Sequence, residues 1–424
     1  MVYRIPFGAD TVSFLLPDNL DIEYLSPSAA LPAPDPAELI ANALDDPIGS
    51  PPISGIVSPG QSVTILCDDI SRPTPAHLIL PPVIERLLTA GVQEEAINIV
   101  IALGSHRYMT RSEIEAKVGR EIAARFKVEN SLFKEPADLI NLGRAPDGVE
   151  IYASSNAMSG DIRLGVGNIV PHNIMGWSGG AKILYPGIAG EVTVAAFHLQ
   201  AALSGRNMFG EDDCFVRNNV ETWVESIGLH FIINTVLNAD FKLCRAFAGH
   251  YIAAHRQGVM YAKEILGAKT QRPADVVIVS SHPADQDLWQ SAKAYFSAEH
   301  ALRGEGGAII NISPNFEGAG PHAEYLEAAG DDNSTELARR VCDGEHYAGD
   351  ALALSIGALV SQMRQRRKLI MVSDGLTQEE YAVCRLDGRP MRDLQSTIDE
   401  TLAVYDDPVV TIITHGGEQM VYGR

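Results

Sequence analysis

Three histidines, one lysine and a short loop of mixed charge stand out in this 424-residue sequence. The stretch 176–182, GWSGGAK, sets Lys182 in a glycine-dense turn with few charged neighbours, beside Trp177, Ser178 and Gly179. Glycines let a backbone approach a ligand closely, and a poorly solvated lysine has a lowered pKa that favours covalent amine chemistry. The same spacing fits a tight turn with a solvated lysine. His198 stands sixteen residues further on, on an expected helix, where an imidazole is either a metal ligand or a hydrogen-bonded core residue. His106 and His172 each follow an expected strand, and as a pair at strand ends they suggest acid–base work. In DDISRPTP, Asp69, Ser71 and Arg72 offer one of two things. One is an anion clamp, since an arginine fork reads a carboxylate or phosphate bidentately; the other is an Asx turn with a surface ion pair. Gln290 and Lys293, beside Trp289 in DLWQSAKA, lie three apart and share one helix face, whether it meets a ligand or only solvent.

What the sequence lacks narrows the chemistry. It has no GxxxxGK[ST] phosphate loop and no HExxH, and neither a GxSxG elbow nor a strand-linked GxGxxG with a downstream acid is expected, so the usual nucleotide, zinc-protease and serine-hydrolase readings lose their main support. With 46% hydrophobic and 21% charged residues, disorder, collagen-like repeats and coiled coil are excluded. Thirty-three basic residues against fifty-four acidic ones leave a net charge of −21, a field that repels nucleic acid and anionic membrane surfaces. An anionic substrate must then be held by local lysine and arginine. No basic region precedes an apolar run at the N-terminus, and no window reaches about 18 uninterrupted apolar residues, so neither a signal peptide nor a membrane span is expected. Five widely spaced cysteines without a CxxC pair point to core packing and a reducing, cytoplasmic setting.

These residues need a scaffold. Strands are expected at 62–67, 96–103 and 161–170, each followed by a loop that carries candidate residues. Helices are expected at 76–90, starting or kinking at Pro81 and Pro82, after the capping box Thr110 and Glu113, and at about 190–203. Residues 26–60, rich in Pro, Ala, Ser and Asp, read as a surface excursion. A second unit begins with a strand at 275–281 and continues through a helix at 285–300, a strand at 306–313, helices to 365, and strands at 368–373 and 409–414. The expected fold is α/β: two α/β domains with largely parallel sheets covered by helices, and the active site in the cleft between them. The division is 1–270 and 273–424, with the last fifteen residues left open as returning to the first domain.

Taken together, SRPTP, GSHR, PHNIMGWSGGAK, PGIAG, His198, the QSAK helix and EGAG at 317–320 resemble the lactate racemase family, the nickel-pincer-dependent 2-hydroxy-acid racemases and epimerases. The motifs run from about residue 65 to 320 and so cover most of the chain. The resemblance implies that Lys182 anchors a pyridinium-3-thioamide-5-thiocarboxylate mononucleotide through a thioamide bond. Nickel would be held by two sulfurs and a carbon of that cofactor, with His198 as the only protein ligand. It further implies that His106 and His172 are acid–base groups and that Arg72, Gln290 and Lys293 orient the substrate. Asp69 and Ser71 belong to the same motif as Arg72, and Trp177, Ser178, Gly179 and Trp289 flank the cofactor and substrate. A small-molecule 2-hydroxy acid and proteins that make and insert the cofactor are the implied partners.

The chemistry is coherent. The α-hydrogen of a 2-hydroxy acid is barely acidic, whereas its removal as hydride, while a histidine takes the hydroxyl proton, gives a planar 2-oxo acid. Hydride returned to the other face inverts the centre. Departures from the family pattern fall around the substrate: Leu352 or a neighbour replaces a tryptophan, Trp177 stands for a common Phe, Trp289 for a Tyr, and Asn130-Ser131-Leu132 replaces an NHD-like segment. They predict a reshaped substrate pocket and a 2-hydroxy acid that is either lactate or a larger 2-hydroxy carboxylate. Competing readings are a nicotinamide-dependent oxidoreductase, which lacks its fingerprint, a non-catalytic nickel or cofactor carrier, and a zinc hydrolase using His106, His172 and His198.

Overall fold

A computed structural model describes residues 1–104, 106–145 and 148–423. Ser105 of the GSHR motif lies outside the described residues. Two six-stranded sheets organise the chain. The first runs Leu243–Gly249, Phe231–Leu237, Ile162–Asn168, Val63–Asp68, Ile97–Ala102 and Lys127–Asn130, parallel except for the antiparallel edge strand Leu243–Gly249. Val63 to Cys67 and the whole of Phe231–Leu237 are buried, as strands covered by helices on both faces must be. Register places Asp68 opposite Ala102 and Cys67 opposite Val166, so the loops after all three strands leave one edge of the sheet together.

The second sheet is wholly parallel, in the order Asp387–Arg389, Lys368–Val372, Ala308–Ile312, Val276–Ser280, Val409–Ile413 and Asp21–Leu25. Its last strand, Asp21–Leu25, comes from the stretch 1–270 expected to form the first domain and pairs with Val409–Ile413, a non-local pairing that no local pattern encodes. At the other end of the chain, Met420–Tyr422 pairs with Gly267–Lys269, next to the crossover between the sheets. The segment 26–60 also differs from expectation. It contains the helix Pro36–Asp45, capped by Asp35, whose Ile40 and Leu44 are fully buried.

Helix Ala76–Thr89 starts six residues earlier than Pro82 and carries both prolines inside it. The carbonyls left without donors are those of His77 and Leu78, which face solvent and can be hydrated. The helix expected at 285–300 is instead two, Leu288–Ser291 and Lys293–Glu299, joined at Ala292. Helix Ala351–Arg366 packs on helix Glu191–Leu203, and Gln362 Nε2 donates to Ala202 O, which joins the second domain to the helix that carries His198. Four cysteines are buried and Cys342 is exposed. No helix among the described residues is long and apolar enough to cross a membrane.

Candidate active site

The loops at the edge of the first sheet meet the Leu288–Lys293 segment of the second domain around a cleft open to solvent. Asp69, Ser71, Arg72, His106, His172, Ser178, Gly179, Lys182, His198, Trp289, Gln290 and Lys293 all line it. Of the residues singled out from sequence, Trp177 alone does not. Its indole is turned into the core and donates to Gly210 O at 3.1 Å, so a cofactor contact through the Trp177 side chain is corrected to a packing role.

His106 is oriented by Asp69. Its Nδ1 lies 2.5 Å from Asp69 Oδ2, while Ser71 Oγ and N both donate to Asp69 Oδ1. Burial alone would raise the Asp69 carboxyl, but the charge and hydrogen bond of His106, with Ser71 and Arg72, hold it below the usual carboxylate range. An ionised Asp69 fixes the His106 proton on Nδ1 and leaves the Nε2 lone pair facing Gln290 Nε2 at 3.4 Å. This is the arrangement of a general base.

His172 is built the other way. Backbone N–H groups of Ile174 and Met175 donate to its Nδ1 at 3.1 and 3.2 Å, so the neutral ring carries its proton on Nε2. Burial, and then the cations of Lys182, Arg72 and Lys293, push its pKa well below the ordinary value and keep it neutral. In this tautomer it offers a substrate oxygen a hydrogen bond.

His198 has a free donor atom for a metal. Its Nδ1–H donates to Val194 O one turn earlier at 2.7 Å, which leaves the Nε2 lone pair available. Burial lowers its pKa to about 4, so the imidazole is neutral and ready to ligate. Among the described residues no group of three or more His, Cys, Asp and Glu side chains could hold a metal ion, and the three histidines do not make a zinc triad.

Lys182 sits in a short turn of 3-10 helix, Gly180–Ile183. Burial and the nearby Arg72 bring its amine down to about 8, within reach of covalent chemistry at neutral pH. Residues 176–180 do spell GxSxG, the hydrolase nucleophile pattern not expected from the sequence reading, so that expectation is corrected. Ser178 Oγ is instead engaged by the backbone, donating to Asn168 O at 2.7 Å and accepting from Val170 N at 2.9 Å. It is no nucleophile.

Lys293 donates to Gln290 Oε1, so the two do share a face despite the break at Ala292. Burial, then Arg72 and Lys182, lower the Lys293 amine well below its ordinary value. Arg72 and the two crowded amines, which a bound anion would hold protonated, give a chain of net charge −21 a local place for an anion. Trp289 packs on His322 with ring centroids 4.3 Å apart and planes tilted by 34°, and His322 Nδ1 lies 2.7 Å from Asp350 Oδ2. Leu352 is buried behind this wall, and Ile356, one turn further along its helix, reaches the cleft. Asn130 pins the His106 loop through Met109, whose N–H it accepts and whose carbonyl it binds, and Ser131 Oγ accepts from Leu103 N.

Several supporting residues escaped the sequence analysis. Lys117 Nζ holds Asp68 Oδ1, Asp69 O and Arg72 O at 2.8 to 2.9 Å and so shapes the DDISR loop. Its signal was a lysine on the same helical stripe as Ile114 and Val118. Asn234 Oδ1 accepts from Gly180 N, and it shows in sequence as an amide within the apolar run FIINTVL.

Two helix-covered, largely parallel sheets with a histidine-lined cleft at the carboxyl ends of the strands define a two-domain α/β protein with its candidate ligand site between the domains. Comparison makes this specific. Residues 7–210 match the lactate racemase N-terminal domain and residues 269–421 the lactate racemase C-terminal domain, and the chain belongs to the lactate racemase family. It is 30% identical over 332 residues, 76% of each chain, to the lactate racemase of Thermoanaerobacterium thermosaccharolyticum. Against that of Lactiplantibacillus plantarum it is 30% identical over 308 residues, 71% of each chain. The fold overlays on the lactate racemase apoprotein of Thermoanaerobacterium thermosaccharolyticum with a TM-score of 0.85, covering 99% of this chain and 100% of that one at 24% identity. A Thermotoga maritima protein overlays at 0.69, covering 93% of this chain and 100% of that one at 18% identity.

Proposed function

We propose that this protein is a racemase or epimerase that inverts the C2 centre of a 2-hydroxy acid, with a nickel-pincer nucleotide attached to Lys182. The observation that carries the reading is the convergence on one cleft of a buried amine at about 8 and a buried imidazole with its Nε2 free. Lys182 would hold the group covalently and His198 would ligate its nickel; a lone histidine suffices because the pincer brings its own donors. When bound, that group supplies the hydride acceptor and donor that no side chain can provide.

The chain's own residues do the rest. Arg72 and Lys293 hold the substrate carboxylate, and Gln290 supports Lys293 and faces His106. His106 takes the hydroxyl proton at Nε2 as the planar 2-oxo acid forms, and Asp69 stabilises the resulting imidazolium. His172 donates a hydrogen bond from Nε2 to substrate oxygen, and it serves as the base for the opposite hand in its other neutral tautomer, with the proton on Nδ1, the backbone donors of Ile174 and Met175 released and the Nε2 lone pair free to accept the hydroxyl proton. Trp289 and Ile356 wall the side-chain end of the cleft, which supports a substrate larger than lactate.

The test is the intact mass of protein co-produced with the cofactor-synthesis enzymes, with a Lys182→Ala control and nickel analysis. The expected result is an adduct on the unmutated chain, about one nickel per chain, and neither on Lys182→Ala. No adduct and no nickel, with the cofactor demonstrably made, would overturn the reading.

A further inference from the structure

We propose that Arg217, backed by Glu221 and His255, is a positioning residue that holds the glycine loop 175–180 so that Lys182 stands ready for covalent attachment. The proposal rests on the reading of Lys182 as the anchoring amine.

The loop is intrinsically loose. Gly176, Gly179 and Gly180 adopt φ of 71°, 76° and 59°, the left-handed region that glycine enters freely. Nor is there room for anything larger: a Cβ would lie 2.1 Å from Glu211 O at Gly176, 2.7 Å from Asn234 Oδ1 at Gly179 and 2.9 Å from His255 Cγ at Gly180. A segment of this kind keeps one shape only if something outside it does the holding.

Arg217 does so. It projects from helix Phe215–Ile227 and is 2% exposed. Its guanidinium donates to Met175 O at 3.1 Å, to Trp177 O, and to Gly179 O at 3.5 Å. A fourth carbonyl of the run, Ser178 O, accepts from His255 Nε2 at 2.8 Å. The His255 tautomer is fixed because Arg256 donates to its Nδ1 at 3.0 Å. Glu221 bridges the two arginines, 2.6 Å from Arg256 and 3.5 Å from Arg217. Four carbonyls in five residues are thus gripped from one side. The last of them, Gly179 O, also accepts the backbone N–H of Lys182 at 3.3 Å, which links the clamp directly to the lysine.

Burying a guanidinium is costly, and an apolar side chain could fill the space at less cost to stability. An arginine here is explained by the shape it imposes. Its charge has a second effect, since Arg217 is among the cations that lower the Lys182 amine, after burial and Arg72.

The test uses full-length apoprotein with Arg217→Met and Arg217→Lys. Lys182 is acylated with acetic anhydride across a pH series and quantified by peptide mass spectrometry, alongside Tm and adduct yield after co-production with the cofactor-synthesis enzymes. In the unmutated chain Lys182 should half-react near pH 8. Arg217→Met should raise that midpoint by about one pH unit and cut adduct yield roughly tenfold. Arg217→Lys keeps a charge but loses the fork, and should hold the midpoint while still losing adduct. A lowered Tm with unchanged midpoint and yield would reduce the clamp to a fold-stabilising role and overturn the proposal. If Arg217→Met does not fold, Arg217→Lys with full adduct yield would overturn it as well. Absence of adduct on the unmutated chain would sink the anchoring role of Lys182, while the acylation midpoints would still decide whether Arg217 positions it.

Discussion

The Nε2 atoms of His106 and Gln290 lie 3.4 Å apart although 184 residues separate them, one on a loop of the first sheet and the other on a helix of the second domain. The contact closes the cleft between domains and sets the base beside the residue that supports Lys293. In the proposed reaction, carboxylate binding and proton abstraction would therefore be assembled only when both domains are in place. Asp69 acts from behind, holding the other face of the imidazole at 2.5 Å.

Asp69→Asn tests that orientation. An amide can donate to His106 Nδ1 and so favours the wrong tautomer, with the proton on Nε2. Turnover of the loaded enzyme should fall by roughly 10²–10⁴-fold while nickel content stays near that of the unmutated chain. Full activity in Asp69→Asn would remove Asp69 from the mechanism.

The two histidines should also be distinguishable without any cofactor. Long-range ¹H–¹⁵N correlation spectra of the apoprotein should show His106 protonated on Nδ1 and His172 on Nε2. His172 should stay neutral below the ordinary histidine range, and His198 should titrate near 4. Finding the Nδ1–H form of His172 would make it a base as it stands and erase the asymmetry.

Much of this was legible in the sequence because the chemistry is carried by unusual local strings. GWSGGAK and SRPTP are dense in residues that serve no ordinary helix or strand, and the loops that bear them end recognisable apolar runs. What stayed hidden depends on pairing at a distance. Asp21–Leu25 looks like any short strand until it meets Val409–Ile413. Lys117, Arg217 and His255 read as helix residues because their targets are backbone carbonyls, which leave no mark in sequence. Trp177 misled for the opposite reason: it sits inside a functional string but turns its ring into the core.

Lys182 makes a prediction about stability. Its pKa falls from 10.5 to about 8 on folding. Below pH 8 both states carry the proton and the folded state bears the full penalty of a buried charge. Between pH 8 and 10.5 the unfolded chain binds more protons, so stability rises with pH. Lys182→Met should therefore stabilise the apoprotein by about 1–3 kcal/mol at pH 7, with the gain vanishing above pH 10.5. Urea unfolding at the two pH values checks this, and a less stable variant at pH 7 would mean the amine is well solvated.

Lys293→Ala removes one of the two groups proposed to hold the carboxylate and leaves Gln290 Oε1 without its donor. The loaded variant should lose roughly 10²-fold in kcat/KM, with KM rising, because a carboxylate held by Arg72 alone is loosely positioned. An unchanged KM with a lower kcat would move Lys293 from binding to chemistry.

The remaining prediction concerns the substrate. A tryptophan expected near Leu352 is missing, Leu352 itself is buried, and the wall toward the cleft is left to Ile356 and Trp289. Replacing an indole by an aliphatic chain frees volume, while Trp289, packed on His322, offers a flat apolar face. A panel of enantiopure 2-hydroxy acids given to the loaded enzyme should rank those with larger apolar side chains above lactate in kcat/KM. One buried methylene is worth about 0.8 kcal/mol, so two or three extra carbons should separate the substrates by roughly tenfold or more. Narrowing the wall with Ile356→Trp should reverse that order and favour lactate. Efficient racemisation of lactate with no turnover of longer acids would refute the size argument and leave the freed volume to water.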